Sequence, residues 1–73
     1  MAVEIGALYK HFKKGAIYKV LAIAKHSETG EELVIYQNTT DESKVWARPI
    51  SMWSEMVVDP QGNKVERFRK ISE

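Results

Sequence analysis

The chain has no cysteine, only two prolines and four glycines in 73 residues, and no marked excess of either charge sign. Without cysteine there is no disulfide framework, no thiolate nucleophile and no cysteine-based zinc site. A net charge of +1 argues against a nucleic-acid binder held by overall electrostatic attraction. No stretch approaches the roughly 20 apolar residues of a membrane helix. The opening Met1-Ala2-Val3-Glu4-Ile5-Gly6 lacks the basic start and apolar run of a secretory signal. A cytoplasmic protein with no membrane partner is therefore expected. No repeat, low-complexity segment or linker divides the sequence, so a single domain over residues 1–73, with its core at about 9–71, is expected.

What the chain does have is aromatic side chains. A domain this small buries only about 60% of the surface its unfolded form exposes. Its core must come from large residues, and Tyr9, Phe12, Tyr18, Tyr36, Trp46, Trp53 and Phe68 are there to supply it. The run Ala16 to Ala24 is β-branched and aromatic and reads as a strand. Tyr18, Val20, Ala22 and Ala24 share its lysine-free face and are expected inward, the two alanines letting the strand bend. Glu32 to Asn38 reads as the return strand with Val34 and Tyr36 on one face, and Gly30 in the link suits a positive φ.

A turn cluster, Asn38-Thr39-Thr40-Asp41-Glu42-Ser43, leads to a third strand over Lys44–Arg48, which Pro49 ends because it has no N–H to donate. Ser51 to Glu55 reads as one helical turn with Ser51 as its N-cap. Met56–Val58 and Val65–Ile71 read as a hairpin about the type I turn Asp59-Pro60-Gln61-Gly62. Short strands at regular spacing predict an all-β (mainly β) fold, a small SH3-like β-barrel or roll of about five strands with one short helical turn near Ser51–Glu55.

The polar link His26-Ser27-Glu28-Thr29-Gly30-Glu31-Glu32 concentrates an imidazole, two hydroxyls and three carboxylates. By strand parity His26 shares a face with Tyr18 to Ala24, and Glu32 shares one with Val34 and Tyr36. A tight hairpin would bring the two to one rim, either as a pH-sensitive pair or as a structural clasp, the latter with Ser27 and Thr29 bonding to local backbone. A triad of His26, Ser27 and Glu28 is excluded because neighbours on an extended strand point to opposite faces. No metal site is expected, since only His11, His26 and nearby carboxylates could contribute ligands. No cofactor and no catalytic residue is assigned.

Trp46-Ala47-Arg48-Pro49 places Trp46 and Arg48 on one strand face. Exposed beside Trp53, the pair would suit stacking on a ligand. In a domain this small Trp46 is expected in the core, with Arg48 covering it and paired to Glu32 or Glu55. Trp53 is expected to plug an open barrel end. Arg67-Phe68-Arg69-Lys70 could track phosphates with an aromatic stacked between them, but reads first as an edge strand protected by charge. Tyr9-Lys10-His11-Phe12-Lys13-Lys14-Gly15 is a similarly basic lead-in.

These segments, taken in order, carry a family resemblance. Tyr9 to Gly15, Tyr18 with Val20, His26-Ser27-Glu28-Thr29, Val34 with Tyr36, Trp46-Ala47-Arg48-Pro49, Met52-Trp53 and Arg67-Phe68 resemble the short bacterial domain-of-unknown-function family 1653 over residues 9 to 71. The resemblance implies an SH3-type β-roll in a bacterial cytoplasm and no established activity, cofactor or partner. Two departures stand out: Lys14 lies between Lys13 and Gly15, where it is expected to bulge the lead-in, and Trp53 stands where Phe is commoner.

The functional expectation is a non-enzymatic binding module for a polar peptide or small ligand. Its candidate ligand-binding residues are His26, Glu28, Glu32, Trp46, Arg48 and Arg67. A nucleic-acid-binding barrel using Lys10, Lys13, Lys14, Arg67 and Arg69 is one alternative. A small accessory domain of an enzyme, with His26 as base, is a second. The chain is expected as a monomer or homodimer, the latter sealed by Trp53 and its methionine neighbours.

Overall fold

Alternating β-branched and aromatic residues carry the chain through seven strands. These are β1 (Leu8–His11), β2 (Ile17–Lys25), β3 (Glu32–Asn38), β4 (Val45–Pro49), β5 (Met56–Val58), β6 (Lys64–Glu66) and β7 (Phe68–Ser72). The computed structural model describes residues 3–72. Five strands form one antiparallel sheet in the order β4-β3-β2-β1-β7, and β5 pairs with β6 in a second, two-stranded one. The fold is all-β, as expected, with two more strands than the expected five. It is not a closed barrel: β4 and β7 end the large sheet without pairing to each other.

Two irregularities shape this sheet. The β2–β3 register slips between Val20 and Ala22, so Leu21 is extra, and Ile23 instead of Ala22 or Ala24 comes opposite the buried Val34. A one-residue bulge inverts every later side chain on its strand. The inward set is thus Tyr18, Val20 and Ile23, and the expectation for Ala22 and Ala24 is reversed; Ile23 packs against the core. The bulge also bends the strand, the task assigned above to the two alanines.

The second irregularity is at Arg67. The expected strand Val65–Ile71 breaks there, its first part pairing with β5 and its second with β1. Arg67 donates its N–H to the Glu55 carbonyl (2.9 Å) and accepts at its own carbonyl from Phe12 (3.0 Å), so its backbone groups are satisfied at the corner. Gly62 at φ +87° closes the β5–β6 turn, donating to the Asp59 carbonyl at 2.9 Å.

The helical turn is shorter than expected, a single 3₁₀ turn at Ile50–Met52. Ser51 lies inside it. The N-cap position is held by Pro49, with no side-chain cap. This turn delivers Trp53 onto the sheet, where it is 1% exposed and stacks on Phe68 with ring centres 4.0 Å apart and planes 5° from parallel. Tyr9 and Tyr36 stand edge-on to it at 5.3 and 5.0 Å. Trp53 therefore belongs to the core and offers no surface to a second copy; Met52 and Met56 remain exposed.

Candidate functional site

The β2–β3 link is held by its histidine. His26 Nδ1 accepts the backbone N–H groups of Glu28 (3.1 Å) and Thr29 (3.4 Å), while Thr29 Oγ1 accepts that of Glu31 (3.2 Å). Gly30, at φ +74°, donates to the His26 carbonyl at 2.9 Å. An imidazole here does what an Asn does in an Asx turn, taking up amides that the hairpin leaves unpaired. The bulge alters the expected His26–Glu32 pairing. Glu32 sits opposite Lys25, and the His26 amide bonds the Glu31 carbonyl at 2.7 Å. Paired residues share a face and neighbours alternate, so Glu32 is on the core face and His26 on the other. Among the described residues no hydrogen bond joins them. The loop is pinned by His26 itself and not by the expected His26–Glu32 clasp: Thr29 bonds to local backbone as expected, Ser27 makes no side-chain hydrogen bond among the described residues, and Glu28 enters the loop through its backbone.

A different geometry surrounds Trp46 and Arg48 on the edge strand β4. Trp46 lies opposite Tyr36 and Arg48 opposite Val34, so both face the core side of the sheet at its open margin. Trp46 is 39% exposed, not the core residue expected. Being on the sheet edge, its indole is covered on one side only, by Tyr36 (5.8 Å, stacked) and Tyr18 (5.5 Å, edge-on). Arg48 is half-buried, with its Cζ 5.4 Å from the centre of the Phe68 ring. It pairs with neither Glu32 nor Glu55: among the described residues its side chain makes no salt bridge or hydrogen bond, and Nε is buried without an acceptor.

Tyr18 and Tyr36 complete this margin. Their rings are 5% and 7% exposed and meet edge to face at 5.3 Å. Neither hydroxyl bonds within the described residues, and neither is among the buried orphan atoms, so both hydroxyls reach solvent. Burial, and then the neighbouring Tyr36 phenol, raise the Tyr18 pKa above the usual tyrosine value, keeping it a neutral donor. An indole face, an unpaired guanidinium and two phenol hydroxyls thus share one margin. This arrangement can stack on an apolar group and hydrogen-bond an anion beside it.

Arg67 is elsewhere. Its Nε and Nη2 donate to Glu55 Oε1 at 3.1 and 2.8 Å, and its Cζ lies 5.9 Å from the Phe12 ring centre. It is a corner brace, and the structure does not bring it into one site with the hairpin loop. His11, in contrast, matters more than its sequence context indicated. Its ring packs edge-on to Phe68 at 5.1 Å and stacks on Phe12 at 5.1 Å, and its Nδ1 accepts the amides of Lys13 (3.1 Å) and Lys14 (3.2 Å). The two histidines therefore make the same amide-capping turn. Lys14, expected to bulge the lead-in strand, is accommodated in this turn, and the β1–β7 register slips elsewhere, between Leu8 and Tyr9. Burial, then the charges of Lys14, Arg67, Arg48 and Lys13, lower the His11 pKa and keep the imidazole neutral.

Several basic residues lie beside carboxylates. Lys70 bonds Glu4 at 2.6 Å, Arg67 is held by Glu55, and Lys10 and Arg69 share a cleft with Asp59 and Glu66. Among the described residues no three His, Asp or Glu side chains are placed to hold a metal, and no helix is long and apolar enough to cross a membrane. Trp46 and Arg48 were legible as a pair from their spacing. Tyr18 and Tyr36 were legible only as core, because two-residue periodicity shows that a ring points inward but not where its hydroxyl emerges.

Comparison with known proteins matches this chain over residues 7–70 to the model of the family described as "Protein of unknown function (DUF1653)". None of the curated proteins matches it. Among solved structures, it is similar to the crystal structure of a DUF1653 protein from Bordetella bronchiseptica. The TM-score is 0.81 at 26% sequence identity, covering 96% of this chain and 90% of that one. Most of the segments that carried the sequence resemblance meet in the structure, as His11, Tyr18, Tyr36, Trp46, Arg48, Trp53 and Phe68 pack through successive ring contacts, while His26-Ser27-Glu28-Thr29 forms its own loop. The chain belongs to the DUF1653 family.

Proposed function

We propose that this protein is a non-enzymatic binding module for a peptide or small ligand carrying a carboxylate next to an apolar group, taken up at the Trp46–Arg48 margin. The observation that carries this reading is the half-buried Arg48 guanidinium. It lies over Phe68 without an acceptor, beside a partly exposed indole. A guanidinium is the side chain best shaped for a planar carboxylate, and Trp and Arg are enriched where binding energy concentrates. Among the described residues none at the margin is a nucleophile with an adjacent base, so the reading involves no reaction. A cytoplasmic setting is part of the proposal and rests on the cysteine-free sequence.

The test uses N-acetyl-phenylalanine as probe, with its carboxamide as the uncharged control, followed by indole fluorescence and by the Arg48 Nε–H resonance. Saturable binding of the acid, lost in Arg48→Met and Trp46→Ala with the fold intact, supports the reading. Equal responses to acid and amide, or unchanged binding by both variants, remove it.

A further inference from the structure

Away from the Trp46–Arg48 margin, a cleft of about 210 Å³ is lined by residues of β1, β6 and β7 and of the β5–β6 turn. This is below the roughly 300–1,000 Å³ of sites for drug-sized molecules, so it suits a smaller one. Phe12 and Val65, both partly buried, give the cleft apolar surface. Its charges are arranged in an unusual way. Lys10 and Arg69 face each other directly across the β1–β7 ladder, a like-charge pairing that costs stability unless something offsets it. Among the described residues neither makes a salt bridge or side-chain hydrogen bond, and neither does Glu66. Asp59 uses Oδ1 to accept the amides of Gln61 (2.9 Å) and Asn63 (2.8 Å), leaving Oδ2 free.

Two cations and two carboxylates, all unpaired with one another, make a lining of zero net charge. The remaining polar wall, His11, is neutral for the reasons given above and adds no charge. A phosphodiester chain gains nothing from such a lining, because every phosphate attracted by Lys10 and Arg69 is repelled by Asp59 and Glu66. A small molecule with one charge of each sign satisfies both pairs at once through charge-assisted hydrogen bonds.

We propose that this cleft is a second binding site, separate from the Trp46–Arg48 margin, for a small zwitterion with an ammonium, a carboxylate and an apolar body, such as a free amino acid or a dipeptide. The carboxylate sits between Lys10 and Arg69, the ammonium faces Glu66 and Asp59, and the apolar body lies on Phe12 and Val65.

The experiment is a residue-resolved ¹H–¹⁵N titration of the full chain with leucine and with glycyl-leucine. N-acetyl-leucine (no ammonium), leucinamide (no carboxylate) and inorganic phosphate serve as comparisons. The expected result is saturable shifts at Lys10, Val65, Glu66 and Arg69, with dissociation constants no weaker than about 10 mM, for leucine, for glycyl-leucine or for both. The more responsive of the two identifies the ligand's length. Each blocked analogue should bind at least tenfold more weakly, as should the variants Glu66→Gln and Lys10→Gln/Arg69→Gln. Lys10→Gln/Arg69→Gln should keep the wild-type urea midpoint or exceed it, because it removes an exposed like-charge pair, and Glu66→Gln, at a half-buried carboxylate with no salt bridge among the described residues, should leave it close to wild type. Arg48→Met should leave these shifts unchanged, so failure of this site and failure of the margin site are read separately. Unsaturating shifts for both zwitterions overturn the proposal, and so do equal responses to N-acetyl-leucine or phosphate.

Discussion

Replacing Arg48 with Met should leave the domain as stable as before, or slightly more so, while weakening binding of a carboxylate at the β4 margin by about tenfold or more. Met keeps most of the aliphatic stem that covers the core edge and loses only the guanidinium. What that guanidinium contributes to the fold is its position over Phe68, 5.4 Å from the ring centre, a cation–π contact contributing about 0.5–2 kcal/mol. Against it stands a buried Nε–H with no acceptor, which costs about 1–3 kcal/mol. Arg48 also adds to the positive field that lowers the His11 pKa. These effects nearly cancel, so the net change should stay within about 1 kcal/mol of wild type, or roughly 4–8 °C in Tm. Equilibrium urea unfolding followed by tryptophan fluorescence reads this directly. Binding of N-acetyl-phenylalanine, which uses a hydrogen bond to a charged group contributing about 1.5–3 kcal/mol, should weaken tenfold to a hundredfold. A stability loss above about 2 kcal/mol would show that Arg48 is retained as a structural cover. An Arg48 of that kind is a structural residue and not a free ligand-binding group, whatever the binding result.

Other perturbations test the rest of the framework. Trp53→Ala removes the most enclosed aromatic ring and should cost about 3–5 kcal/mol, a large share of the stability of so small a domain; a Tm drop under about 10 °C in calorimetry would contradict the packing described. Because burial and neighbouring cations lower the His11 pKa relative to the unfolded chain, the unfolded state binds more protons once pH falls below the ordinary imidazole value near 6.5. Stability should therefore be complete above that pH and decline as pH falls below it through the lowered folded-state value, with the decline reduced in His11→Asn, which retains an amide-capping oxygen but does not titrate. His26→Ala should cost about 0.5–1 kcal/mol by uncapping two amides of an exposed loop. His26→Asn should restore most of that in urea unfolding, and a loss equal to that of alanine would count against this pinning by His26. Oligothymidylate at low salt should show no binding in a fluorescence titration, since Arg67 and Lys70 are held by Glu55 and Glu4 and Lys10 and Arg69 share a cleft with Asp59 and Glu66, so phosphates would meet carboxylates along the basic segments.

Much of the backbone was legible because its signals are local. The apolar run Ile17–Lys25, the turn glycines Gly30 and Gly62, and the Asn38–Ser43 cluster each act through their own residues. In that cluster Asn38 Oδ1 takes the amides of Thr40 (2.7 Å) and Asp41 (3.1 Å), and Asp41 Oδ1 takes that of Ser43 (3.1 Å). The bulge at Leu21 was not legible. No residue type demands it, and it shows only in the pairing of β2 with β3; with it went the parity argument for Ala22, Ala24 and His26. Trp46 and Arg48 were visible as a same-face pair, but whether a strand is central or at the edge depends on pairing partners distant in sequence. The cleft between β1, β6 and β7 was hidden for the same reason, since Lys10, Asp59, Glu66 and Arg69 come from both ends of the chain.

The sequence by itself determined an all-β chain with its turns in place, a core built from aromatic rings, and the absence of any thiol chemistry. Those properties follow from composition and from periodicity over a few residues. Only the tertiary structure decided which tryptophan is enclosed and which lies open, that Arg48 has no carboxylate partner among the described residues, and that two cations and two carboxylates, unpaired with one another, line one cleft. Burial and ion pairing depend on contacts between segments, and strand register, which local sequence leaves free by one residue, sets every one of those contacts.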